Sequence, residues 1–436
     1  MRRVLVGLLL LLAACGKEPS FVGSSSSFAG LTSESPAASE APIEFAVGEG
    51  TKGQAPIATL TELAKRDFSV SAWYVAPGKA FRDGDATRIA YIANHRFGYL
   101  TNDPDHDAFS DAWRGVAAHA ATTGAAATAP VYWPLDGSLT FFCYAPYRAD
   151  AVLDTPPVPD TRDIVLEAPV TDAGVIARLP GYLPGSPLLR VTPAASAADQ
   201  VDFLAAPAVL DKRRTDNAGR FPLDLSQHRM TSLDFQFNYD DSYEDSEHNI
   251  HHYLSAGESV RVLNIVVRDV IGSKYLYFTG GAPYEAAWSD AVSPADKETA
   301  STPLPTVTYT LNAVKNGSGE LGYGYEYELP EKSGSNYKAV VLDKGHLYLL
   351  PQTLSDEAAL EISYAVFDGT NYKGITEILS LKLNSGLAAW QPGTKVTYKI
   401  TLNIKPYQSA SFTVLVEKWL FSGNDHPETE LLPDHD

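Results

Sequence analysis

The chain has 436 residues, enough for two or three domains with substantial hydrophobic cores. Apolar residues make up 44%, which excludes a chain disordered throughout. Fifty-three acidic residues against 34 Lys and Arg give a formal charge of −19. A field of that sign repels phosphate backbones and anionic headgroups, excluding nucleic acid as a partner and docking on a lipid surface by charge.

Arg2 and Arg3 precede an apolar run from Val4 to Ala14, too short to cross a bilayer and of the length of a signal-peptide core. The run ends in Leu12-Ala13-Ala14-Cys15, which resembles a bacterial lipobox. That resemblance implies cleavage before Cys15 and its acylation, so residues 1–15 are read as a lipoprotein signal with its lipidated cysteine. The alternative is an ordinary secretory signal with a chance cysteine. Cys143, in "LTFFCYAPY", is the second of two cysteines, so an exported chain cut at Cys15 has no internal disulfide. Its aromatic neighbours predict a small buried hydrophobe. Residues 16–41, rich in Ser, Ala, Gly and Pro, read as a flexible tether.

Next comes "PIEFAVGEGTKGQAP", a short strand with Ile43, Phe45 and Val47 on one face. Gly48, Gly50 and Gly53 follow it and leave Lys52 in an open loop. Beyond it, period-two alternation dominates. "FSVSAWYV" sets Phe68, Val70, Ala72 and Tyr74 on one face, "LEISYAVF" does so with Leu360, Ile362, Tyr364 and Val366, and "KVTYKITLNI" with Val396, Tyr398, Ile400, Leu402 and Ile404. Such strands bury one face and wet the other, as in antiparallel sandwiches. Short helices are predicted only at Leu60–Lys65 and Pro294–Glu298. The polar run "DKRRTDNAGR" places a boundary between a first β-sandwich domain, 42–215, and a second, 216–436. The acidic end, "SGNDHPETELLPDHD", lacks a strand pattern and is expected to be mobile.

"YDDSYEDSEHNIHH" gathers His248, His251 and His252 among carboxylates, but its spacing matches no ordered zinc pattern, so it reads as an exposed loop. Asp103, Asp105 and Asp107 alternate like part of a calcium loop, without the glycine and distal glutamate that complete one. No nucleophile elbow, H-E-x-x-H or phosphate-cradling loop occurs. The chain is therefore read as no enzyme, with no catalytic residue, metal or cofactor assigned.

Several stretches, in order, resemble the fimbrillin family, the lipoprotein-derived subunits of Bacteroidales type V pili. They are Ile43-Glu44-Phe45 with Lys52, Phe68 to Tyr74, "VYWPLDGSLTFFCYAPY", "VDFLAAPA", "YLLPQTL", "WQPGTKVTYKITL" and "FTVLVEKW". The family's Phe-x-His appears only loosely, at His228, and Lys52 stands where arginine is common.

The resemblance implies an all-β chain of two transthyretin-like antiparallel sandwiches in tandem. It also implies a structural or adhesive fimbrial subunit at the outer-membrane surface. Its partners would be other pilus subunits, a lipid anchor through Cys15 in the precursor, and a host or bacterial surface receptor. Proteolysis at Lys52, or alternatively Arg66, would free the strand bearing Ile43, Phe45 and Val47. A donor strand bearing Phe412, Val414 and Val416 from another copy would fill the groove. The other reading is a glycan-binding β-sandwich surface lipoprotein, for which Trp73, Trp113 and Trp288 are candidate stacking residues if exposed.

Overall fold

The computed structural model describes residues 37–47, 67–84, 88–100, 112–116, 130–152, 160–197, 199–216, 220–225, 227–281, 285–289, 305–312, 328–334, 336–339, 347–404, 409–419 and 430–431. Cys15, Lys52, Arg66, the Asp103–Asp107 run and both expected helices lie outside them.

The first half contributes β1 (Ala38–Pro42), β2 (Glu44–Val47), β3 (Phe68–Val75), β4 (Arg88–Leu100), β5 (Ala112–Gly115) and β6 (Tyr132–Pro134). It continues with β7 (Ser138–Ala145), β8 (Ile164–Glu167), β9 (Leu188–Val191), β10 (Leu204–Ala205), β11 (Val209–Lys212) and β12 (Arg220–Leu223). A short α-helix, α1 (Ala173–Ile176), is capped by Asp172, whose carboxylate accepts the Gly174 and Val175 amides.

The second half runs through β13 (Thr231–Asp240), β14 (Ser242–Glu244), β15 (Ile250–His252), β16 (Ser259–Ile271), β17 (Lys274–Phe278), β18 (Ala286–Trp288), β19 (Thr306–Asn312) and β20 (Lys338–Ala339). There follow β21 (Leu347–Leu349), β22 (Gln352–Thr353), β23 (Ala359–Phe367), β24 (Tyr372–Lys382), β25 (Ala389–Trp390), β26 (Thr394–Asn403), β27 (Ser409–Lys418) and β28 (Glu430–Leu431).

An eight-stranded sheet in the order β10-β7-β3-β4-β5-β2-β12, with β11 also on β7, forms the first half. Phe68, Val70, Ala72 and Tyr74 project from one side of β3 into a core shared with Phe45, Phe141, Trp133 and Phe221. The alternation in "FSVSAWYV" predicted a wet opposite face, but all eight residues of β3 are buried. The reason is a second covering layer: Trp73 and Val75 pack with Leu189, Leu276 and Phe278 of the β18-β17-β9-β8 sheet. The serines on that side are satisfied locally. Ser69 donates to Asn94 Oδ1 at 2.6 Å and the Asn94 amide donates to Ser71 at 3.0 Å. Asn94 adopts positive φ, 47°, which an asparagine tolerates, where the β3–β4 register shifts.

In the second half a sheet ordered β20-β13-β26-β27-β28 packs on one ordered β19-β16-β23-β24. Here the core-facing side of the alternation reads as expected, with Val396, Tyr398, Ile400 and Leu402 of β26 buried against Val262, Ile265, Leu360 and Ile362, but Thr397 and Thr401 on the side expected to be wet are buried as well. Pairing is mostly antiparallel, but β13 runs parallel to β26 over ten registered residues, and β12 runs parallel to β2. Parallel neighbours require a long crossover; each half here supplies one, bringing a late strand beside an early one.

Among the described residues two strand pairings span position 215, β12 with β2 and β9 with β17, and the isolated bridges Tyr182–Thr279 and Leu204–His228 do so as well. β1 begins inside the stretch read as tether, because β6 offers it a pairing edge. Glu430 and Leu431, in the tail read as strandless, pair with the free edge of β27 as β28.

Candidate functional site: the first-strand groove

The groove is built from β2 and its neighbours. β2 lies between β5, antiparallel with Glu44 opposite Arg114 and Phe45 opposite Trp113, and β12, parallel from Glu44–Arg220 to Val47–Leu223. The Ile43 amide donates to the Val131 carbonyl at 2.7 Å, fixing the segment to the β6 side as well. Ile43 is 1% and Phe45 0% exposed. The Phe45 ring meets Phe97 at 5.3 Å and Phe141 at 5.2 Å, both edge-to-face, a geometry that adds to simple area burial. Of Val47 only the backbone pairing to Leu223 is described. On the other side of the strand Glu44 pairs with Arg114 Nε at 2.7 Å.

The second predicted strand, β27, pairs with β26 along its whole length, with Ile400–Phe412, Tyr398–Val414 and Val396–Val416 in register. Val414 is buried, whereas Phe412 and Val416 are half-buried. β27 has only the short β28 on its outer edge and is therefore less enclosed than β2.

The end of β27 reaches a junction that motif reading marked only through His228 and Trp419. The Trp419 indole stacks on the His228 ring at 4.0 Å between centroids and 9°, and on Tyr348 at 5.2 Å. His228 Nδ1 lies 3.0 Å from the Asp202 carboxylate, and both side chains are fully buried. Beside them the Arg229 guanidinium donates to the Ala205 and Ala286 carbonyls, and burial pushes it down to about 10. Those contacts tie β10, in the first half, to β18, in the second.

Cys143 is buried in β7, and burial drives its thiol well above the usual range, so it behaves as an apolar residue. The three clustered histidines sit in or beside the exposed β14–β15 hairpin and take separate acids: His248 meets Glu244, His251 meets Asp245 at 2.7 Å, and His252 meets Asp241 at 2.9 Å. Glu331 adds a second carboxylate 3.4 Å from His252. Trp73 and Trp113 are buried, and the half-buried Trp288 donates its indole N–H to the Arg229 carbonyl, so none is an open stacking platform. Among the described residues the exposed aromatic rings are instead Tyr243 and Tyr253, 4.5 Å apart on the same hairpin, with His251 stacked beside Tyr243. They escaped the sequence reading because an acidic run masks them.

The sequence matches the family described as fimbrillin-like over residues 99–419. The chain belongs to the fimbrillin-like family. Family membership makes it a fimbrial, adhesion-type subunit of the cell surface that assembles with other pilus subunits. The family is of the adhesion type, which suggests a structural protein. No curated protein matches its sequence.

Among solved structures, the fimbrillin-like chain is similar to a Bacteroides uniformis protein described as a cell adhesion protein. Identity is 13%, coverage 87% of this chain and 97% of that one, and the TM-score 0.40. It is also similar to the C-terminally truncated tip fimbrial protein Mfa3 of Porphyromonas gingivalis, at 9% identity, 85% and 98% coverage and TM-score 0.27. A Bacteroides thetaiotaomicron protein described as polysaccharide binding matches at 10% identity, 85% and 92% coverage and TM-score 0.31.

Proposed function

We propose that this fimbrillin-like chain is made as an outer-membrane lipoprotein precursor, lipidated at Cys15, and polymerises by donor-strand exchange once β1 and β2 are released. Cleavage after Lys52, or alternatively after Arg66, frees them together with the lipid. The observation that carries this reading is the placement of Ile43 and Phe45. A segment of strand length, entering the sheet between β5 and β12, fills the aromatic core of the first half. Its loss exposes two rows of backbone groups and an apolar trough lined by Phe68, Phe97 and Phe141, a template for another extended chain.

The donor proposed is β27 of another copy, with Phe412, Val414 and Val416 on one face. Burying three such side chains contributes about 1.5–3 kcal/mol each. Main-chain bonds add about 0.5–1.5 kcal/mol apiece, against an association cost of about 4–15 kcal/mol. Stable polymers therefore need a strand that fits along most of its length.

Limited trypsin treatment of the purified precursor tests the reading. The expected products are an N-terminal fragment ending at Lys52, or at Arg66, and multimers that grow with time. A precursor cut at either position that stays monomeric after the fragment has been displaced overturns it.

The β14–β15 hairpin favours a second activity on the same subunit: Tyr243 and Tyr253 offer ring faces among carboxylates, the pairing of apolar surface and acceptors that suits sugars. A glycan array probed with the chain and with Tyr243→Ala separates the two readings. Saturable binding lost in the variant supports a glycan receptor, and no binding leaves the fimbrial role alone.

A further inference from the structure

The base of the β14–β15 hairpin gathers an imidazole and two carboxylates from three separate backbone segments. Asp241 comes from the turn between β13 and β14, His252 from β15, and Glu331 from the segment bridged to Tyr239 of β13. Asp241 is buried, and its Oδ2 accepts the Leu254 amide while its Oδ1 lies 2.9 Å from His252 Nδ1. The chain is pinned on both sides of Glu331: the Tyr239 amide donates to the Pro330 carbonyl, and the Lys332 amide donates to the Tyr239 carbonyl. Glu331 Oε1 stands 3.4 Å from the same His252 Nδ1, and all three donor atoms lie within 4.8 Å of one another.

Two of these separations are the ones a single ion imposes. Ligands about 2.0–2.2 Å from a zinc-class ion, at right to tetrahedral angles, stand about 3.0–3.5 Å from each other. Closing the third needs only a turn of the exposed Glu331 side chain. Charge argues the same way. His252 faces the carboxylates of Asp241, Glu331 and Asp240, while Lys332 lies 3.6 Å from Asp240. One imidazole and one ammonium leave an excess of negative charge, part of it on a carboxylate removed from water.

We propose that Asp241, His252 and Glu331 form a site for a divalent transition cation, with zinc as its type. The imidazole favours such an ion over magnesium or calcium, which take oxygen ligands. His252 and Glu331 are about half exposed, so the ion enters from solvent and water completes its coordination. On entry it displaces the proton between His252 Nδ1 and Asp241, which leaves to solvent. The bound ion ties the hairpin that carries Tyr243 and Tyr253 to the chain beside β13, and the site stands whether or not those rings bind sugar. His248 and His251, grouped with His252 in the sequence, meet Glu244 and Asp245 instead. Their spacing hid the site, because its third ligand comes from far along the chain.

The experiment uses the untagged full chain with Cys15→Ser, in which the remaining thiol, Cys143, is buried. Zinc uptake is measured against a chromogenic chelator at neutral pH. Glu331→Gln, a change at an exposed side chain, and His252→Gln are each expected to weaken uptake at least about 10-fold. The double change of His248→Ala with His251→Ala is expected to leave it unaltered. Zinc is also expected to slow amide exchange at Tyr253 and Leu254, which donate to Asp241. Uptake that disappears with His248 and His251 but survives Glu331→Gln is binding to exposed imidazoles and overturns the site. Failure of the chain to withdraw zinc from the chelator overturns it as well, and displacement of zinc by equimolar calcium overturns the choice of ion.

Discussion

Phe45 shows what one residue of the first strand carries. It has no exposed surface and meets three phenylalanine rings, so in the uncleaved precursor Phe45→Ala is expected to destabilise by about 3–5 kcal/mol. Urea unfolding of the precursor measures this, and a loss below 1 kcal/mol would mean the strand is not part of the resting core. Cys143 is the complementary case. Its thiol is buried and its ionisation suppressed, so in a Cys15→Ser chain it is expected to resist a thiol reagent until the protein unfolds. Rapid labelling under native conditions would contradict that. At this scale the sequence was partly legible. Flanking aromatics foretold the fate of Cys143, and alternation foretold the facing of Ile43 and Phe45. The ion pair of Glu44 with Arg114 left no trace, because nothing local links residues on strands that meet only after folding.

At the scale of elements, legibility follows from how many sides a strand buries. β26 was the more legible, because its alternating Val396, Tyr398, Ile400 and Leu402 all face the second core, although Thr397 and Thr401 behind them are buried too. In β3 the alternation of large and small residues hides a second buried side, which only the β18-β17-β9-β8 sheet explains. The parallel pairing of β13 with β26 was illegible too, since a strand's own pattern is the same whichever way its neighbour runs. The β14–β15 hairpin supports a prediction about pH. The Asp241 carboxylate raises His252 above its ordinary 6.5, so that contribution is complete below 6.5 and fades as pH climbs through the raised value. The His251 hydrogen bond lowers Asp245 from 3.8 to about 2, a contribution present above 3.8 and lost as pH falls toward 2. The hairpin is thus held best between about pH 4 and 6.5. Amide exchange at Leu254, which donates to Asp241, is expected to exceed the intrinsic base-catalysed rise between pH 6 and 9, and His252→Asn to remove the excess. A corrected rate that stays flat would rule this out.

At the scale of the molecule, the two halves are joined by more than a linker. Trp419 stacks between His228 and Tyr348, in a cluster that also holds Phe142 and Phe203 from the first half and Leu276 and Phe278 from the second. Trp419→Ala is expected to cost about 3–5 kcal/mol and to lower the midpoint of one shared unfolding transition. Two separated transitions in the unmodified chain would show that the halves are energetically independent.

The sheet that β8 and β9 share with β17 and β18 has a consequence for biosynthesis. In a nascent first half β8 covers one edge of β9, but the other edge, with Leu189 and Val191, stays uncovered until Lys274–Phe278 has been delivered to pair with it. Maturation of the early half therefore waits on the late one, a distant closure that slows folding and leaves sticky surface open while the chain is still emerging.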